Sequence, residues 1–148
     1  LMTQEGQQES LQSLLVSKEQ LVLVTGNKTK KLDWAMLLAL GFVGHPDGIH
    51  HGNLLLSNNF LAFSHMSQFK QVGFSNQISL ILEPISRNIG FTVLPLSAVK
   101  AFSSQEKILI YPLNIAVNED IYLCHVRQAL DSKRCQFVRE KVMTFLSS

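Results

Sequence analysis

Histidines and one run of short polar side chains are the groups in this sequence best equipped for chemistry. His45, Asp47, His50 and His51 fall within seven positions, and His65 follows. Imidazole and carboxylate suit zinc or iron, and three such ligands around one ion could activate a water for hydrolysis. The spacing speaks against it. His45-x4-His50-His51 in a stretch holding Pro46 and Gly48 is no established ligand pattern, adjacent histidines seldom point the same way, and no HExxH or cysteine pair supports them. The competing reading makes His45-Pro46-Asp47-Gly48 a turn and His50-His51 the opening of a helix. A small metal-dependent hydrolase using His45, His50 and His51 is the alternative carried forward; neither metal nor cofactor is expected. A glycine-rich phosphate loop, a G-x-S-x-G elbow and a carboxylate pair for acid and base work are all lacking, so no enzyme is expected.

The second chemical feature is Gly73-Phe74-Ser75-Asn76-Gln77, followed by an amphipathic stretch to Gly90 and the short apolar run Phe91-Thr92-Val93-Leu94-Pro95. Ile78, Ile81, Leu82, Ile85 and Ile89 recur at three- and four-residue steps, which places them on one helix face. Ser75 or Asn76 is expected to cap that helix, and Gly90 to supply the left-handed residue after its last turn. Free backbone N–H groups at the helix start, beside Ser75, Asn76 and Gln77, would seat a carboxylate or another small anion. The plain alternative is that Ser75 and Asn76 only cap, each contributing about 1 kcal/mol. Pro84 inside the helix costs about 3 kcal/mol in a regular interior position, so a kink or an interruption is expected there.

These groups need a scaffold, and the chain supplies one. Its 148 residues, 46% hydrophobic, suffice for one domain or two small lobes with a real core. With 16% charged residues and a net charge of +2, the chain itself offers no nucleic-acid surface. Cys124 and Cys135 read as small buried hydrophobes without a disulfide framework, which fits a reducing cytoplasm. No signal core and no span of roughly 18 apolar residues is present, so no membrane is expected.

Along the chain, Gln8 to Ser17 reads as a helix with Leu11, Leu14 and Leu15 on one face, and Leu21 to Val24 as a buried parallel strand. Asp33 can cap a helix that runs through Leu40 and stops at Gly41, and Phe42 to Gly44 is a strand. His50 to Phe60 is a further helix, Phe69 to Phe74 a strand, and Ser97 to Phe102 a short helix. Lys107 to Tyr111 and Asp120 to Val126 are strands. Asp131 caps a closing helix whose apolar face is Cys135, Val138, Val142 and Phe145. Strands separated by helices predict an α/β fold with a mainly parallel sheet.

Leu21-Val22-Leu23-Val24, Gly41 to Gly48, Asn76-Gln77 through Gly90 to Pro95, and Ile121-Tyr122-Leu123-Cys124-His125, in that order and spacing, resemble the effector-binding domain of bacterial LysR-type transcriptional regulators. The family's recurrent glycine, hydrophobic strand and proline stand here as Gly90 to Pro95. The resemblance implies a periplasmic-binding-protein-like (type 2) pair of α/β lobes, with the first lobe incomplete. Residues 25–111 would form the second lobe, and residues 1–24 and 112–148 the partial first lobe. It also implies that the chain is the C-terminal part of a longer regulator whose helix-turn-helix, and part of whose cleft, are absent from it.

What the resemblance implies in function is a cytoplasmic sensor. A small-molecule effector, such as an organic or amino acid, would bind between the lobes and shift an assembly on DNA, which the chain reaches only through the absent helix-turn-helix. Positions matching the family's cleft are Thr25 and Gly26 at the hinge, His45, and the loop Phe74, Ser75, Asn76 and Gln77. A homodimer or higher homo-oligomer is expected, and a purely structural assembly role is the remaining alternative.

Overall fold

The computed structural model describes residues 1–3, 6 and 10–146, without the side chains of Leu130 and Asp131. The chain divides into two compact units, residues 20–117 and residues 1–19 with 118–148.

In the larger unit, Leu21 to Gly26 end the 16-residue strand β1 (Leu11–Gly26) and are all buried. β1 lies between β4 (Phe91–Pro95) and β5 (Ile108–Tyr111) and is antiparallel to both. β2 (Phe42–Gly44) runs parallel to β3 (Gln71–Phe74) and to β4, giving the order β3-β2-β4-β1-β5. The sheet is therefore mixed, and the expectation of a parallel strand at Leu21 to Val24 is corrected. A continuous apolar run records burial on both faces, not direction. Leu21 and Leu23 pack with Phe42, Phe91 and Val93, under Leu37 of α1 (Trp34–Leu40) and Leu55 and Leu56 of α2 (Gly48–Asn59). Val22 and Val24 pack on the other side with Val43 and Leu94, under α3 (Ile78–Ser86) and Val99 of α4 (Leu96–Lys100). Alternate residues of each central strand thus feed opposite layers.

Local signals explain the helix boundaries. Met36 N donates to Asp33 Oδ1 at 2.9 Å, the expected cap, and Gly41 ends α1 with φ 74°. Gly48 N donates to His45 O at 2.9 Å, closing the expected turn before α2. On α3 only Ile81, Leu82 and Ile85 are buried. Ile78 and Ile89 are 62% and 46% exposed, so the apolar face is shorter than its period predicts. Pro84 sits inside α3, which ends two residues later.

Asn88, not Gly90, stops α3. Its φ is 62°, Asn88 N donates to Ile85 O (2.8 Å), and Ile89 N donates to Pro84 O (3.0 Å), the paired bonds of a Schellman ending. Gly90 is left-handed as well (φ 73°), and its missing Cβ also relieves crowding, since a Cβ there would lie 2.7 Å from Val72 Cγ2 and 3.0 Å from Gly41 O.

In the smaller unit, the first half of β1 pairs with β6 (Val117–Val126), and Met2 bridges to Tyr122. The expected helix from Gln8 to Ser17 is corrected: Gln8 lies outside the described residues, and Leu11 to Ser17 are strand. Ser13 Oγ meets Cys124 Sγ at 3.3 Å and Lys18 Nζ meets Asp120 Oδ1 at 3.4 Å, so a partner about a hundred residues away overrides a local pattern of three leucines. The closing helix α5 (Lys133–Leu146) forms, but the expected cap by Asp131 lies outside the described side chains. Cys124 is half-buried and Cys135 exposed, which corrects the expectation that both are core residues.

Candidate functional site

β2 and β3 lie side by side, with Val43 opposite Gly73 and Gly44 opposite Phe74. The chain leaves β2 toward the layer of α2 and leaves β3 toward the layer of α3. Their carboxyl ends therefore open a crevice, the place where open α/β sheets receive ligands. A pocket of about 360 Å³ lies there, within the range of small-molecule sites.

His45 follows β2 directly and is 6% exposed. Its Nε2–H donates to Val93 O at 2.9 Å, because a carbonyl can only accept. Burial lowers its pKa below the ordinary histidine value; the Val93 bond and Asp47 pull it up, and His51 pushes it down. The imidazole is therefore a neutral group of fixed tautomer at physiological pH. On β4, Thr92, the residue before Val93, is buried, and its Oγ1 donates to Val43 O of β2 at 3.0 Å.

Phe74 ends β3 at the pocket mouth, 60% exposed. Ser75 N donates to Gly44 O at 3.1 Å, tying the two strand ends together. Ser75 Oγ donates to Gln77 O and accepts from Gln77 N, both at 3.1 Å. Ser75 is thus a turn former. The N-cap position of α3 belongs to Gln77, which makes no side-chain cap, and this corrects the expected cap by Ser75 or Asn76. Asn76 and Gln77 are exposed.

Thr25 and Gly26 sit elsewhere. Thr25 is fully buried and its Oγ1 donates to Gly26 O at 3.2 Å. A side chain at Gly26 would collide with Asn88, whose Oδ1 accepts from Lys28 N at 3.0 Å. Of the residues predicted for the site, His45 and Phe74 line this pocket, with Ser75 adjoining it in sequence, while Thr25 and Gly26 do not line it.

Gln71, Ser67, Met66 and Phe69 also line the pocket and were not anticipated. Gln71 falls inside the strand expected from Phe69 to Phe74, which in the structure begins at Gln71 itself. Met66 and Ser67 belong to a single 3-10 turn (Met66–Gln68), which has no apolar period to find.

The rings of His45 and His51 are 5.4 Å apart and those of His50 and His51 5.9 Å. Among the described residues no group of three or more His, Cys, Asp or Glu is placed to hold a metal ion. The Nε2 of His45 is given to Val93 O. Among the described residues no helix is long and apolar enough to cross a membrane.

An open sheet with helices on both faces and a crevice at parallel strand ends is an α/β architecture shared by many ligand-binding lobes, among others. No family model and no curated protein matches the sequence. Solved structures do match. The effector domain of the transcriptional regulator AmpR of Pseudomonas aeruginosa is 10% identical, with a TM-score of 0.71 over 97% of this chain and 69% of that one. Full-length LysG from Corynebacterium glutamicum, solved with its effector Arg bound, is 14% identical, with a TM-score of 0.68 over 96% of this chain and 48% of that one. The regulatory domain of HypT from Salmonella typhimurium is 11% identical, with a TM-score of 0.67 over 95% of this chain and 68% of that one. The fold is that of LysR-type effector-binding domains, a periplasmic-binding-protein-like α/β architecture of which the chain holds part. It spans from about half to about two thirds of these structures.

Proposed function

We propose that the chain is the effector-sensing part of a LysR-type transcriptional regulator. The observation that carries this is the pocket at the carboxyl ends of β2 and β3, lined by the buried His45 and the exposed Phe74. In this reading Ser75, Asn76 and Gln77 complete the rim, and Thr25 and Gly26 act as hinge. Residues 25–111 are the second lobe, and residues 1–24 with 112–148 belong to the first. A small metabolite acts by binding two arrangements of the regulator unequally. Promoter contact falls to a helix-turn-helix outside this chain, and the setting is the bacterial cytoplasm.

The test is a screen of small metabolites by thermal shift on the purified chain. At least one should raise the melting temperature, and Phe74→Ala should remove that shift while leaving the unliganded melting temperature unchanged. A screen without a hit, or hits indifferent to Phe74→Ala, would overturn the reading.

The same proposal includes self-association through the smaller unit. Phe137, Val138 and Phe145 on α5 are 59%, 58% and 78% exposed, a face that water disfavours. Light scattering should give a dimer or larger species, reduced toward monomer by Phe137→Ser with Phe145→Ser. A monomer at high concentration would remove this part of the proposal.

A further inference from the structure

We infer that the pocket at the ends of β2 and β3 selects an uncharged aromatic molecule that donates a hydrogen bond, of the phenol class, over a carboxylate. This rests on the reading of that pocket as the ligand site and goes beyond it by naming what the site takes.

Its walls are aromatic and fixed before any guest arrives. Phe42 and Phe69 are each 6% exposed, and both meet the Phe91 ring edge-on, at centroid distances of 5.3 and 5.0 Å. Phe74 also lines the pocket, with most of its surface open. A flat ring gains offset or edge contacts with such walls and covers the exposed face of Phe74.

The polar side chains lining the pocket are His45, Ser67 and Gln71, and none of the lining residues is Lys, Arg, Asp or Glu. A carboxylate entering it would leave water without meeting an opposite charge. His45 sharpens the choice. With its Nε2–H given to Val93 O and its ring neutral, the nitrogen left for a guest is Nδ1, which carries a lone pair. Asp47 and His51, the titratable groups acting on that ring, do not reverse this, since burial remains the largest influence. A lone pair needs a donor: a phenolic O–H or aromatic N–H satisfies it, and a carboxylate offers only further lone pairs. Gln71 can then serve a guest's acceptor atom through its amide.

The test uses the purified chain at pH 7.5 with phenol, anisole and benzoate, read by amide chemical-shift titration, which registers millimolar binding. Phenol should bind with shifts centred on Gly44, His45 and Phe74. Anisole, the same shape without the O–H, should bind roughly 5- to 10-fold more weakly, the share of one hydrogen bond. Benzoate should bind more weakly still, and Phe74→Ala should weaken phenol without altering the unliganded spectrum beyond its neighbours. Equal affinity for phenol and anisole would overturn the donor requirement. Benzoate binding as tightly as phenol would overturn the ligand class while leaving the pocket a ligand site. Failure of all three probes overturns this inference, and only an empty metabolite screen besides would also remove the reading on which it rests.

Discussion

The buried hydrophobic residues all lie between Leu21 and Ile108, whereas in residues 1–19 and 118–148 the one buried residue among those described is Glu119. Both units carry apolar residues at regular spacing, so composition does not separate them. The difference lies in what each apolar face meets. Ile81, Leu82 and Ile85 of α3 lie over Val22, Val24, Val43 and Leu94. The corresponding face of α5 has Val138 and Phe145 in the open, and none of its described residues is buried. A helical period assigns residues to a side, and only a surface opposite turns that side into core.

The strongest way to break this comparison is to truncate one phenylalanine in each unit. Phe91→Ala should cost about 3–5 kcal/mol, as a core ring touching Phe42 and Phe69, whereas Phe145→Ala should stay within about 0.5 kcal/mol. Urea unfolding of both variants checks it, and equal losses would mean that α5 is packed as firmly as the sheet. Asn88→Ala comes next, at about 1–2 kcal/mol, since alanine must then hold a positive φ and Lys28 N loses its acceptor. Asn88→Gly should cost less, because the backbone term vanishes; thermal melts of the pair separate the two contributions. Asp33→Ala should remove about 1 kcal/mol by loss of the α1 cap, again by melting.

The smallest effect expected is in the pH profile. His45 is held below its ordinary pKa in the folded chain, so as pH falls below about 6.5 the unfolded chain takes up a proton that the folded chain resists. Its contribution is full above that pH and declines through the interval down to the folded value, and His45→Gln should flatten the slope in stability measured from pH 7.5 to 5. An unchanged slope would place the acid sensitivity elsewhere.

Much of the larger unit was legible in the sequence because its signals are local. Asp33 before an apolar stretch, Gly41 after it, and His45-Pro46-Asp47-Gly48 each specify a boundary within a few residues. The first half of β1 was not, because Leu11, Leu14 and Leu15 satisfy a helical step while the strand state depends on β6, far along the chain. For the candidate site, His45 and Phe74 are named through the family resemblance, as positions matching its cleft. Met66 and Phe69 could not be named, since their approach to β2 is made by a turn whose geometry leaves no period. Asn88 was visible as a residue that tolerates a left-handed backbone, yet the neighbouring glycine was the stronger signal and drew the assignment two positions too far.

The alternation in β1 has a bearing on how the chain finds its pairing. Leu21 and Leu23 enter one layer, Val22 and Val24 the other. Sliding the strand by one residue would exchange the layers, and because both are apolar the exchange would strand no polar group among these four. What would change is volume: one layer would receive two surplus methylenes and the other would lose two, errors on the order of 1 kcal/mol each. Along these four residues the alignment of β1 is therefore proofread by bulk, with hydrophobicity mute on the choice.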